Sequence, residues 1–427
     1  MSNVMRWLFQ IFNTTLFRNA FYIALTQGFG TVIGFLFWFV IARLYTPSDV
    51  GLGSALIAAL SLSAIASGIG FNFGLVRFLP SEKNKSRMIS TCLWVAALTS
   101  FIFSLLFVIA IPFFIQILIF NDSIYYISFF IFFATVNGLL HMQRGVFQAL
   151  RDTKYYFIQD SLLNSFKLVL AILFASLGAW GIFLSVGIGG VIALFISFTI
   201  LVWIFKYEPT ICFDLSIVRR LFGYSFGNYV SWMLLALPAQ LLPLMTINLL
   251  GSEMTAYFQI SWQISTVIGM TIVSSICASL FIEGSYEPEN LRKNTLISTL
   301  LVLATMIPIT VIMFMFADKI LMIFGKTYSE NSTEILRLFI VGNVVGSISS
   351  IYITINRVKK RIKLIILLSL AYVIFTLTFC YIFAMIKGLV GIGFGYVLAQ
   401  LCLAVITFML LMRNGIIPSL KQILWHI

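Results

Sequence analysis

Apolar residues run along this chain in long blocks, each ended by a few charged or turn-forming residues. Crossing a bilayer takes roughly 20 consecutive apolar residues as a helix. Twelve blocks reach that length, near 19–42, 51–75, 90–118, 124–146, 155–178, 180–204, 224–249, 254–282, 295–316, 334–356, 363–386 and 388–412. The narrowest breaks are "SLGAW" (176–180) and "MIKGLVG" (385–391), where two spans are joined by almost nothing. The first block lacks a small-residue cleavage site behind it, so it reads as a span and not as a removable signal. The pattern predicts an all-α polytopic membrane protein of about twelve helices.

Composition agrees. Of 427 residues, 61% are hydrophobic and 10% charged, with mean hydropathy +1.05. A soluble domain carries about a quarter charged residues, so lipid is the solvent for most of this chain. Four of the five cysteines, Cys92, Cys277, Cys380 and Cys402, lie inside apolar blocks, and no CxxC pair occurs. His141 and His426 are the only histidines. No zinc site, disulfide framework or Ser-His catalysis is expected, and no cofactor.

The formal charge of +13 first suggests a nucleic-acid partner. Its placement removes that reading. With the N-terminus inside and twelve crossings, most of the 27 Lys and Arg fall in cytoplasmic breaks, and only Arg43, Lys319, Lys326, Arg337 and Lys387 fall outside. This is the positive-inside pattern. Both termini are expected in the cytoplasm, in the cell (inner) membrane.

The longest breaks are 317–333 outside and 206–221 inside. The inner one sits at mid-chain and suggests a repeat: a six-helix bundle over 1–205, a linker over 206–222, a second bundle over 223–412, and a cytoplasmic tail over 413–427. The segments "LYTPSDVGLGSALIAALS" and "NLLGSEMTAYFQISWQIS" support it faintly. Each places a Ser-acid pair, Ser48-Asp49 or Ser252-Glu253, at a helix start. Repeated halves about a central pathway are a common transporter plan. In the first segment Thr46 or Ser48 can cap the second helix, Pro47 pre-sets the turn, and Arg43 faces the negative end of the first helix.

Those words also resemble a family. Ala42-Arg43, Leu44, Pro47 and Asp49-Val50-Gly51 follow the pattern of the polysaccharide-transporter family, the O-antigen and capsule oligosaccharide flippases of the multidrug/oligosaccharidyl-lipid/polysaccharide exporter superfamily. Val50 stands where an aromatic is commoner. "SGIGFNFGLVRFLP" (67–80), "QALRDTKYY" (148–156), "LMIFGKTYSENSTEILRLF" (321–339) and "KGLVGIGFGYVLAQ" (387–400) are similar to further family segments in the same order. The resemblance implies two bundles around a central cavity that opens to either side in turn. It also implies translocation of a polyprenyl-diphosphate-linked oligosaccharide from the inner to the outer leaflet. The implied partners are that substrate and membrane lipid, with room for a coupling cation and a polysaccharide polymerase.

Lys167 is the sharpest candidate residue. It lies mid-span, where a cation costs about 2.5–3.5 kcal/mol on insertion scales. Asp160, Asn164 and Lys167 share one face of the fifth helix. A cavity lined by a cation would attract a diphosphate; the plainer reading has Lys167 paired with Asp160 or reaching toward the interface. Arg77 and Arg144, near inner ends of spans, either meet the diphosphate or anchor the topology. Arg43 reads first as part of the outer hairpin. Gln27 on the first span, Gln240 on the seventh, Gln259 and Gln263 on the eighth, and Asn343 with Ser347, Ser350 and Thr354 on the tenth offer partners for sugar hydroxyls or for neighbouring helices.

An enzyme such as a polysaccharide polymerase would carry a large outer loop with catalytic residues, which this chain lacks. A cation-coupled multidrug exporter would need a buried acidic site, and the only acid well inside a span is Asp160, near its cytoplasmic end.

Overall fold

The computed structural model describes residues 15–114 and 124–413; the expected tail, and the turn between the third and fourth spans, lie outside them. Among the described residues the regular structure is helical throughout, as lipid demands of a chain that must satisfy every backbone group internally. The helices are α1 (Thr15–Leu44), α2 (Pro47–Ala66), α3 (Phe71–Phe78), α4 (Lys85–Phe114), α5 (Ile124–Ala149), α6 (Thr153–Leu173) and α7 (Ala179–Trp203). Then come α8 (Leu215–Leu250), α9 (Ser252–Tyr286), α10 (Leu291–Met315), α11 (Ala317–Phe324), α12 (Lys326–Val358) and α13 (Ile362–Arg413).

Eleven of the described helices are long and apolar enough to cross a membrane. The last, α13, has 52 residues and turns back at Lys387 and Gly388. The Cys380 thiol meets the Ile392 carbonyl oxygen across that turn at 3.4 Å, so α13 supplies two antiparallel crossings. About twelve crossings result.

Two expectations need correction. The second span is not continuous: Gly68, Ile69 and Gly70 take left-handed backbone between α2 and α3. Glycine adopts this freely, isoleucine at a cost. The freed backbone groups find side chains: the Gly68 N–H donates to the Thr99 hydroxyl at 2.8 Å, and Tyr229 donates to the Ile65 carbonyl at 2.9 Å. The segment 317–333 is also not a loop. It forms α11 and the first turns of α12, separated by Gly325.

The chain divides into two compact units, Met1–Tyr229 and Val230–Ile427. In the first, Phe71 and Leu75 of α3 and Leu79 just after it are buried with Cys92 of α4, Phe147 of α5 and Leu201 of α7. In the second, α12 runs through the middle and packs along α9, α10, α11 and α13. There Trp262 meets Phe339 and Tyr396 edge to face, with centroids 5.3 and 5.4 Å away. Such packing replaces the hydrophobic drive that lipid removes.

Candidate functional site

The charged face of α6 is held by α1, which lies parallel to it and is tied at both ends. At one end the Asn19 carboxamide donates to the Arg151 carbonyl at 2.9 Å, and the Thr153 hydroxyl donates to the Asn19 carbonyl at 3.0 Å. At the other, Tyr45 donates to the Ala171 carbonyl at 2.6 Å. Between these ties Phe29 stacks edge-on against Phe157, and Gly30 faces Asn164.

This scaffold brings Arg144, Asp160 and Lys167 together. The Arg144 Nε lies 2.7 Å from Asp160 Oδ1, both side chains partly buried. The acid is therefore matched by an arginine of α5. Lys167, half-buried, places its Nζ over the Phe37 ring, 4.9 Å from the centroid, a cation–π contact that softens the cost of a charge in lipid. Asn164 donates to the backbone carbonyl of Asp160 at 2.8 Å. Two cations and one carboxylate leave this group one positive charge in excess.

The other residues named from the sequence lie elsewhere. Arg77 is exposed on α3 with its guanidinium 5.2 Å from the Tyr224 ring centre. Beside it Arg220 covers Phe78 and pairs with Glu82. Arg43 is exposed over Phe39. In its hairpin Thr46 is the cap: its hydroxyl accepts the Asp49 N–H at 3.2 Å. Asp49 reaches further and accepts the Ala179 N–H at 3.1 Å, which caps α7. Asp49 thus clamps the α6–α7 turn. Gln27 is exposed on α1, Gln240 and Gln263 are half-buried, and Gln259 is buried.

Asn343 belongs to a second place, a cavity of about 550 Å³ inside the second unit. The stripe expected on the tenth span, Asn343, Ser347, Ser350 and Thr354, forms one wall, with Arg357 at its end. Tyr396 donates to the Asn343 Oδ1 at 2.8 Å, and the Asn343 amide donates to the Ser265 carbonyl at 3.0 Å.

A buried polar link in the first unit joins α5, α6 and α7. Gln159 donates to Gln143 Oε1 at 3.2 Å, and the Ser197 hydroxyl donates to the same oxygen. Gln159 precedes Asp160 and faces the other way, so a glutamine beside each charged partner was the available signal.

Residues 40–333 match the sequence profile of the family described as polysaccharide biosynthesis protein. The chain belongs to that family. It is also similar to a probable lipid II flippase MurJ from Borreliella burgdorferi, 23% identical over 392 residues, covering 82% of this chain and 74% of that one. Among solved structures, an inward-facing multidrug resistance MATE family transporter of the MOP superfamily superposes with TM-score 0.70 at 15% identity, covering 91% of this chain and 94% of that one. A MOP superfamily transporter from Pyrococcus furiosus gives TM-score 0.65 at 16% identity, covering 94% and 95%. The fold is that of this transporter superfamily. This polysaccharide biosynthesis protein is accordingly a multi-pass membrane protein, and the proteins it resembles here are named as transporters and a flippase.

Proposed function

We propose that this protein moves a polyprenyl-diphosphate-linked oligosaccharide from the inner to the outer leaflet of the cell membrane, for O-antigen or capsule biosynthesis. The observation that carries the reading is the cationic excess of Arg144, Asp160 and Lys167 within membrane-spanning helices. A diphosphate crossing a low-dielectric core is strongly disfavoured unless matched by charge. Arg144 is held by Asp160, which leaves Lys167 as the cation able to exchange its ring contact for a phosphate oxygen. The six-helix bundles, joined through 206–222, alternate access to the two sides, with both termini in the cytoplasm. A cation gradient is the proposed energy source and a polysaccharide polymerase the proposed neighbour.

The family match and the flippase relative support a lipid-linked substrate over a drug. Cells lacking the protein are expected to accumulate lipid-linked oligosaccharide on the cytoplasmic leaflet with unaltered drug sensitivity. Unchanged surface glycan with new drug sensitivity would favour the exporter instead. For orientation, cysteines placed at 81–87 and 358–363 should react only from the cytoplasm, and those at 317–333 only from outside. Labelling of 81–87 from outside in intact cells would overturn the orientation.

A further inference from the structure

The cavity in the second unit is lined by side chains whose hydrogen-bond donors are largely spent within the fold. Ser347, Ser350 and Thr354 each donate to a carbonyl of their own helix, at 2.6, 3.3 and 2.9 Å. Ser274, across the cavity on α9, does the same at 3.0 Å. A hydroxyl that has spent its proton keeps only lone pairs to offer. The cavity therefore presents a row of acceptor oxygens. Asn343 uses one of its two amide protons on Ser265, and the Gln400 carboxamide and Arg357 supply further donors.

Two glycines make room for these groups. A Cβ at Gly269 would stand 3.0 Å from the Asn343 amide nitrogen, and one at Gly346 would stand 2.7 Å from the Gln400 carboxamide oxygen. From Asn343 to Arg357 the helical rise gives a length of about 21 Å. The rest of the wall is apolar and aromatic, including Tyr372 and Tyr396.

Each simple class of occupant fails on this chemistry. A metal or ammonium ion would call for a carboxylate, and none lines the cavity. An anion would meet Arg357 but also the row of acceptor oxygens. A hydrocarbon tail would leave the hydroxyl oxygens and the carboxamides unmatched in a dry site. A neutral polyhydroxyl chain fits: each hydroxyl both donates and accepts, and the C–H faces of the rings pack on tyrosine.

We infer that this cavity is a saccharide subsite, separate from the charged cluster of the first unit, that takes sugar residues in extended form along α12. It rests on the flippase reading only for which glycan arrives there.

Cys277 lines the cavity and reports on it. In the full-length protein with the other four cysteines replaced by alanine, the uncharged reagent methyl methanethiosulfonate should modify Cys277. Maltose, di-N-acetylchitobiose and a dirhamnoside serve as probes. At ten times its Kd the accepted saccharide should slow modification about tenfold, since protection scales with occupancy. Ser347→Ala with Ser350→Ala keeps the helix, removes two acceptors and leaves Thr354, the hydrogen-bond partner of Cys277, in place; it should raise the half-protecting concentration by about tenfold or more. Ser350→Phe, which fills the cavity, should abolish saccharide dependence. A Cys277 that never reacts, protection by none of the three saccharides, or protection by octanoate instead would each overturn the inference. No translocation is measured, so failure here and failure of the flipping assay are told apart.

Discussion

The two units turn their chains in the same way and then put different chemistry on the same frame. After α5 and after α12 the chain stops identically. Arg151 and Lys360 take left-handed backbone, Arg151 N–H donates to Gln148 as Lys360 N–H does to Arg357, and Asp152 N–H donates to Phe147 as Arg361 N–H does to Asn356. These are Schellman closures. The next helix then doubles back through a glycine of matching conformation, Gly178 (φ 56, ψ −140) or Gly388 (φ 59, ψ −135). With the two closures in register, Arg144 falls on Ile353, Asp160 on Ser369 and Lys167 on Thr376. The charged triad of the first unit is thus an apolar residue and two hydroxyls in the second, where Ile353 lines the cavity. A shared turn plan persists where backbone geometry constrains it. It leaves side chains along the helices free to differ, because turn geometry does not constrain them.

The largest way to break this comparison is to unpair Asp160. Arg144→Leu strands a carboxylate in a membrane helix and should cost about 3 kcal/mol of stability. The double variant Arg144→Leu with Asp160→Leu, which imitates the neutral second unit, should recover most of it. Thermal unfolding in detergent reads both. A single variant as stable as the parent would show that the pair is solvated.

The turns give a smaller effect. Both Gly178→Ala and Gly388→Ala force a side chain into backbone that suits glycine, at about 1–2 kcal/mol each. A Cβ at Gly178 would also stand 2.7 Å from Asp49 Oδ1, whereas nothing lies within 4 Å of one at Gly388. Gly178→Ala should therefore lower the melting temperature more than Gly388→Ala. Equal losses would mean that the Asp49 clamp does not hold the first turn.

The smallest effect is at Asp214, at the start of α8, outside the spans. The Ser216 hydroxyl and backbone N–H donate to it at 2.6 and 2.9 Å, and Arg87 lies 2.9 Å away. The Ser216 hydrogen bonds, then Arg87, hold its carboxyl below the ordinary value of 3.8. A depressed folded pKa stabilises above the unfolded value and is lost as pH falls through the folded one. Asp214→Asn should melt slightly below the parent at neutral pH, with the gap closing only as the medium drops below pH 3.8. A gap constant down to strongly acid pH would remove the ionic explanation.

The sequence showed the spans because apolar length is a strong signal in lipid, and it showed the stripes of α6 and α12 because helical spacing sorts residues by face. The ion pair of Asp160 was not legible. Spacing within α6 pointed to Lys167, whereas Arg144 approaches from another helix, and no rule of local spacing reports that. Gly68 and Gly70 marked a place where the apolar run could bend, but the side chains that satisfy the break, Thr99 and Tyr229, are remote in sequence. The role of Asp49 was half legible: its own turn was written in "TPSD", but its bond to Ala179 belongs to tertiary structure.

Translocation of a fluorescent lipid-linked oligosaccharide in proteoliposomes tests whether Lys167 supplies the charge that carries a diphosphate through the first unit. Lys167→Leu removes the charge while favouring membrane insertion, so folding is retained. The expected loss is roughly tenfold or more, the scale of one charge-assisted hydrogen bond, with Lys167→Arg keeping most of the rate. Normal translocation by Lys167→Leu would contradict it.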